Sequence, residues 1–350
     1  MEMRKTILLP ASVGIALLLA CAVALAVSLL VVAGPGAQPA RAQAAPEATL
    51  VGAGDIASCN YNRDYDTANV VESTITSASA PVTVVTLGDT VYPSGTANQF
   101  KNCYDPTWGG SHLGERSDIT PKLVDPNMWT LTRPAVGNHE YQTPGASAYF
   151  NYFGAGKAGD PGKGYYSYDR GSWHVVVLNS NCSEVGGCGA SSPQGKWLKR
   201  NLAAHLASCT MAAFHHPLFS SSTAQTNVVK PFWNTLYNEG ADVILSGHAH
   251  YYERFAPQRP DGSVSSTYGI REFVVGTGGA SPDSPMRTPR AANSKIDSEK
   301  PGAPGTTYYG VLKLDLLTGG YAWEFRPRAV DAAFTDSGSG QCHGKPPAGA

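Results

Sequence analysis

The chain predicts an α/β fold. Short apolar runs of strand length alternate with stretches of helical periodicity, and five of the runs stop at a loop carrying Asp, Asn or His. The first, Leu50-Val51, leads into Gly52-Ala53-Gly54-Asp55. Val82 to Leu87 leads into Gly88-Asp89, and Trp129 to Val136 leads into Gly137-Asn138-His139-Glu140. Met211 to Phe214 reaches His215-His216-Pro217, and Val243 to Leu245 reaches Gly247-His248-Ala249-His250. Their length and their Val, Ile, Leu and Thr content fit short buried strands. Thr67 to Thr76, Gln194 to Leu206 and Val228 to Asn238 carry the 3.6-residue spacing of helices. Arg271 to Gly276, Gly310 to Leu316 and Tyr321 to Phe325 have no helix between them and predict antiparallel strands, so the sheet system is mixed.

The 350 residues divide into three parts. Residues 1–44 open with Arg4 and Lys5, continue as an apolar run from Ile7 to about Gly34, and end in Ala40-Arg41-Ala42-Gln43-Ala44. This is the pattern of an export signal cleaved after Ala42 or Ala44. The run is also long enough for a retained signal-anchor. Either way the remainder is placed outside the cytoplasm, secreted or membrane-anchored through this segment alone. Residues 45–330 read as one catalytic domain with no internal linker. Residues 331–350 are Ser/Gly/Pro-rich and predict a flexible tail unless Cys342 is bonded.

Net charge −1 and 15% charged residues exclude a basic nucleic-acid-binding surface as the main feature, and no nucleic-acid partner is expected. Hydrophobic residues at 42% supply a sizeable core. Cys59, Cys103, Cys182, Cys188, Cys209 and Cys342 lie beyond the leader. An even number in an exported chain predicts disulfides. Cys59 with Cys103 and Cys182 with Cys188 are the favoured pairs, and the connectivity is otherwise open.

The five strand-end loops carry the chemistry. In an open α/β sheet, ligands bind beyond the carboxyl ends of strands, so the fold gathers these loops at one edge. Asp, Asn and Tyr offer oxygen and His offers nitrogen, a set suited to Fe, Zn or Mn rather than to a thiolate site. His248 and His250, two apart in an extended segment, point the same way and reach adjacent ions. Asp89 in a tight Gly-Asp turn can bridge the two. A metal pair about 3.5–4 Å apart clamps a phosphate ester and activates water for in-line attack. His139 and His216 remain as protonatable groups, and one of them can protonate the leaving alkoxide. His216 is also the alternative to His215 as a ligand. Glu140 reads as a hydrogen-bonding support for its loop. Tyr251, Tyr252 and Arg254 are candidates to line the cleft, with packing in the core the alternative for Tyr251 or Tyr252. His112, His174, His205 and His343 match no motif.

The order Gly-Asp, Gly88-Asp89-Thr90-Val91-Tyr92, Gly137-Asn138-His139-Glu140, His215-His216-Pro217 and Gly247-His248-Ala249-His250 resembles the calcineurin-like metallophosphoesterases. The Tyr92 position is similar to the purple acid phosphatase branch. That resemblance implies two packed mixed sheets flanked by helices, a four-layer α/β/β/α sandwich. It implies a first metal, Fe(III), on Asp55, Asp89, Tyr92 and His250. A second, Fe, Zn or Mn, would lie on Asp89, Asn138, His215 and His248, with His139 contacting the substrate. The expected function is hydrolysis of small phosphomonoesters. A phosphodiesterase on the same centre and an inert surface binding protein of the same fold are the alternatives. One departure is Ala57, where the branch usually has the Gly of Asp-x-Gly. Ala disfavours backbone angles that Gly accepts, so the local turn is expected to differ.

Overall fold

The computed structural model describes residues 45–113, 127–282 and 285–347, so the export signal or signal-anchor expected in residues 1–44 lies outside the described residues. In chain order the strands are β1 Ala48–Ala53, β2 Ala57–Ser58, β3 Val82–Leu87, β4 Val91–Tyr92 and β5 Thr132–Ala135. Next come β6 Tyr166–Arg170, β7 Trp173–Val177, β8 Cys209–Ala213, β9 Val243–Ser246 and β10 Tyr252–Phe255. The last five are β11 Arg271–Val275, β12 Ser294–Asp297, β13 Gly310–Leu317, β14 Gly320–Pro327 and β15 Asp336–Gln341.

Two large sheets form, in the orders β15-β14-β13-β1-β3-β5 and β12-β10-β11-β9-β8-β7-β6, with β2 and β4 as a small parallel pair. Both large sheets are mixed. β1, β3 and β5 run parallel in the first, and β7, β8, β9 and β11 in the second. The sheets face each other. Leu50, Val84, Leu312 and Leu314 of the first share one apolar core with Met211, Leu245, Phe273 and Val275 of the second. All six positions of β1 are buried, as expected of a strand covered on both faces.

Helices close the outer faces. Arg63–Ser77 buries Asp64, Thr67, Ala68, Val71 and Thr74, a single face at helical spacing, and connects β1 to the parallel β3. Pro193–Ala204 and Lys230–Asn238 cover the second sheet through Leu198, Leu202, Phe232, Trp233 and Leu236. Pro231 stands in the first turn of the latter helix, where its missing N–H costs nothing. Full burial of a side chain such as Trp233 contributes on the order of 1.5–3 kcal/mol or more. The layers are helix, sheet, sheet, helix, as the resemblance implied.

Three expectations change. Met128–Leu131 is a single helical turn and β5 begins only at Thr132, whose hydroxyl donates to the Met128 carbonyl at 2.7 Å. β11 is not purely antiparallel. It lies between β9, which it parallels, and β10, so the return from β9 is made by a strand rather than a helix. Within the tail, Asp336–Gln341 forms β15 against β14. The condition that Cys342 be bonded is met, since it pairs with Cys209. Asp336 also accepts from Tyr252 Oη at 2.6 Å, Arg254 Nε at 2.7 Å and Trp323 Nε1 at 3.1 Å. The other disulfides are Cys59–Cys103 and Cys182–Cys188.

The Cys209–Cys342 bridge spans 133 residues, and a native disulfide is typically worth about 2–4 kcal/mol. Replacing both cysteines by Ser is expected to lower unfolding stability by that amount and to expose β15 to limited proteolysis before the rest. A denaturation midpoint equal to wild type would refute the staple.

Candidate metal centre

The site lies on the seam between the two sheets. β1, β3 and β5 deliver Asp55, Asp89 with Tyr92, and Asn138 with His139. β8 and β9 deliver His215 with His216, and His248 with His250. Backbone hydrogen bonds stitch the loops together. Asp55 N–H donates to the Gly88 carbonyl at 3.0 Å, Ile56 N–H to the Asp89 carbonyl at 3.0 Å, and Gly247 N–H to the His215 carbonyl at 2.9 Å. Across the seam, His248 N–H donates to Asp55 Oδ2 at 2.7 Å.

The local backbone is unusual where the donors sit. Asp55, Asp89 and His248 have φ of 59°, 48° and 68°, the left-handed region that side chains other than Gly seldom adopt. Such residues persist only where surrounding contacts determine them. Ala57 has no such angle and simply opens β2, which pairs with β4. The positive φ falls on Asp55, so the Gly of the usual motif is not required here.

The donors form two overlapping groups. Tyr92 Oη lies 2.8 Å from Asp55 Oδ1, 3.1 Å from Asp89 Oδ2 and 3.0 Å from His250 Nε2. His215 Nε2 lies 3.2 Å from Asp89 Oδ2, 3.0 Å from Asn138 Oδ1 and 3.2 Å from His248 Nδ1. Asp89 Oδ2 belongs to both. Asp55, Asp89 and His215 are fully buried, and Asn138, His248 and His250 are half-buried.

Backbone carbonyls set which ring nitrogens are left for the centre. His215 Nδ1 sits 2.8 Å from the Leu87 carbonyl and His250 Nδ1 contacts the Ser281 carbonyl. A carbonyl only accepts, so each Nδ1 carries hydrogen and each Nε2 turns a lone pair inward. The Tyr92 phenol has one proton for three acceptors. Lone pairs of carboxylate, amide, phenol and imidazole therefore converge in a buried space with too few protons between them. Cations of oxygen and nitrogen preference fit this donor set.

The buried charges act on one another. Burial raises the Asp89 carboxyl, but the neighbouring His215 charge and hydrogen bond outweigh it and hold Asp89 well below the usual carboxylate range. Burial lowers His215, and the carboxylates of Asp89 and Asp55 reverse that and lift it to about 9, so its inward Nε2 is basic and takes up either a proton or a cation. Burial and the His215 charge push His248 down to about 4 and, with His248, push His216 to about 2. Burial and the Asp55 and Asp89 charges raise the Tyr92 phenol well above 10.0.

Glu140 supports its loop as expected. Its fully buried carboxylate accepts from the N–H groups of Asp89, Thr90, Val91 and Gly137 at 3.0, 2.7, 3.3 and 2.8 Å. Burial and the nearby Asp89 charge raise its pKa to about 8, against the pull of those donors. His139 stands at the rim, its side chain 32% exposed, with N–H on Asp89 Oδ1 at 2.8 Å and Nε2 3.8 Å from Asp89 Oδ2. The His216 ring lies 4.4 Å from that of His248.

Tyr251 and Tyr252 are buried, so the core reading holds for both, and Arg254 is taken up by an ion pair with Asp336 of β15. His112 stacks on Trp129, His174 lies between Asp169 and Asn201, His205 stacks on His174, and His343 sits beside Asp242. Two supports escaped the sequence reading. Buried Glu272 accepts from Leu218 N–H, Phe219 N–H and Ser246 Oγ, holding the loop after His216. Buried Ser180 contacts His216. Neither lies in a motif, and no local pattern marks them.

A model of the calcineurin-like phosphoesterase family matches residues 49–252. The chain is similar to purple acid phosphatase 15 of Arabidopsis thaliana, 24% identical over 294 residues that cover 75% of this chain and 50% of that protein. It is also similar to purple acid phosphatase 1 of Ipomoea batatas, 29% identical over 187 residues that cover 49% of this chain and 36% of the relative. The chain thus spans half or less of the length of these relatives. Among solved structures, it shares its fold with purple acid phosphatase PPD1 from yellow lupin seeds. The TM-score is 0.55 at 17% identity, covering 84% of this chain and 54% of that one. It also shares it with GAP50, the anchor in the inner membrane complex of Plasmodium, at a TM-score of 0.59 and 12% identity, covering 86% and 90%. With five strand-end loops meeting on the seam of two mixed sheets and a family model matched from β1 to β10, the chain belongs to the calcineurin-like phosphoesterases.

Proposed function

We propose that the chain is an exported phosphatase that hydrolyses small phosphomonoesters at a dinuclear metal centre. The observation that carries the reading is the sharing of Asp89 Oδ2 between the Tyr92 and His215 groups of donors. The relatives named purple acid phosphatases support it. Asp55, Asp89, Tyr92 and His250 would hold the first ion, ferric iron, and Asp89, Asn138, His215 and His248 would hold the second, Fe, Zn or Mn. When bound, such a pair neutralises charge on the phosphoryl oxygens and makes water nucleophilic near neutral pH.

The remaining work falls to protein groups. His139, at the rim with its Nδ1 fixed on the Pro93 carbonyl, presents Nε2 to a bound ester and protonates the leaving alkoxide. His216 is the second proton-bearing group. Export through residues 1–44 is part of the proposal. Three disulfides among the described residues support an oxidising compartment.

Metal analysis of residues 45–350, with a visible spectrum and paired assays on aryl mono- and diesters, tests the reading. Iron at about two metals per chain, a broad visible band and faster monoester turnover are expected. Faster diester turnover selects the phosphodiesterase. Bound metal without turnover selects the inert binding protein, and no stoichiometric metal after reconstitution sinks the centre itself.

Asp89→Ala is expected to remove both metal and activity, whereas His139→Ala keeps metal and loses roughly 10²–10⁴-fold in kcat. Wild-type metal content in Asp89→Ala would overturn the bridging role. Gly137→Ala tests the packing around that bridge. A Cβ there would stand 2.1 Å from Asp89 N and 2.2 Å from Asp89 Oδ1. Displacing Asp89 by even about 1 Å is expected to cost on the order of 10²-fold in activity with circular dichroism unchanged.

A further inference from the structure

We infer that Ser180 is a positioning residue that holds His216 as an Nε2–H donor facing the phosphoryl site, and so keeps it from acting as a third histidine ligand. The inference rests on the phosphatase reading above for the identity of what His216 faces.

The reasoning is a count of protons. Ser180 is 1% exposed. Its Oγ accepts from the His216 backbone N–H at 3.0 Å and lies 2.8 Å from His216 Nδ1. The hydroxyl has one hydrogen, which must find an acceptor once buried. Among the described residues, His216 Nδ1 is the acceptor within reach. The O–H therefore donates to Nδ1, and the proton of the neutral imidazole sits on Nε2. His215 is arranged in the opposite sense, with hydrogen on Nδ1 toward the Leu87 carbonyl and a lone pair on Nε2. Two adjacent histidines thus differ in tautomer because one faces a carbonyl and the other a hydroxyl. His215 offers a lone pair to a cation. His216, within 4.8 Å of the donor atoms of His215 and His248, offers an N–H to an anion.

Ser180 can impose this because its own segment is immobilised. The Gln194 amide pairs with both backbone groups of Asn179, accepting from its N–H at 2.8 Å and donating to its carbonyl at 2.9 Å. Asn181 Nδ2 donates to the Val136 carbonyl at 3.2 Å, and Cys182–Cys188 closes the following turn. The hydroxyl is held from both sides, as a preorganised site requires.

The test uses zinc-loaded protein labelled with nitrogen-15 in histidine, with the His216 signal assigned by its loss in His216→Gln. A protonated Nε2 and a bare, hydrogen-bonded Nδ1 are expected in wild type. Inorganic phosphate, titrated by calorimetry, is expected to bind about tenfold more weakly to Ser180→Ala, the loss typical of one hydrogen bond to a charged group. Ser180→Thr should restore most of it, and Ser180→Ala should have no further effect in a His216→Ala background. Hydrogen on Nδ1 in wild type overturns the assignment. So does a Ser180→Ala defect that persists without His216, which would make Ser180 merely structural. The ring-nitrogen signal is read without turnover, so failure of the phosphatase reading and failure of this inference are separate results.

Discussion

Asp89 carries its charge in a buried seam between two sheets, and the rest of the centre is arranged around that charge. An ionised carboxylate removed from water costs several kcal/mol unless it is compensated. His139 supplies an N–H to it and His215 a ring nitrogen, while Glu140 gathers the amides of the same loop without competing for the carboxylate. Asp55 adds a second buried acid next to Tyr92. The compensation from protein groups falls short, because lone pairs outnumber protons around Oδ2. The shortage suits the seam to cations, and it follows from the strand ends that the topology brings together.

Much of this was legible in the sequence because the donors are local to strand ends. A short apolar run followed by Gly-Asp or Gly-Asn-His-Glu states both an element and its terminus in a few residues. The glycines are legible for a related reason: a Cβ at Gly88 would lie 2.5 Å from His215 Nδ1, so the backbone of one loop touches the ligand of another. What was not legible is whatever depends on partners far along the chain. Ser180 acts on a residue 36 positions later, and the Leu87 carbonyl orients a ring 128 positions later. The tail shows the same limit. Gly338 and Gly340 read as looseness, yet a Cβ at either would collide with Trp323 or Tyr321, so these glycines let a strand lie flat over two aromatic rings. The run from Trp129 failed for a local reason, since a buried Met128 and a Thr132 hydroxyl bond favour one helical turn first.

The fold by itself says little about activity. The same architecture is found in a lupin purple acid phosphatase and in the Plasmodium anchor GAP50. Function resides in sites carried by folds, and here the site is a set of side chains whose tautomers and angles are fixed from behind by carbonyls, amides and one hydroxyl.

The left-handed backbone at Asp55, Asp89 and His248 has a thermodynamic consequence. Each such residue stores strain of about 1–3 kcal/mol that nearby contacts must offset. Ions bound to all three would supply part of that offset, and an ion that binds the native state alone stabilises it by mass action. Folding and metal supply are then one linked equilibrium. On the proposed reading, the melting temperature would rise with the free metal concentration around the protein.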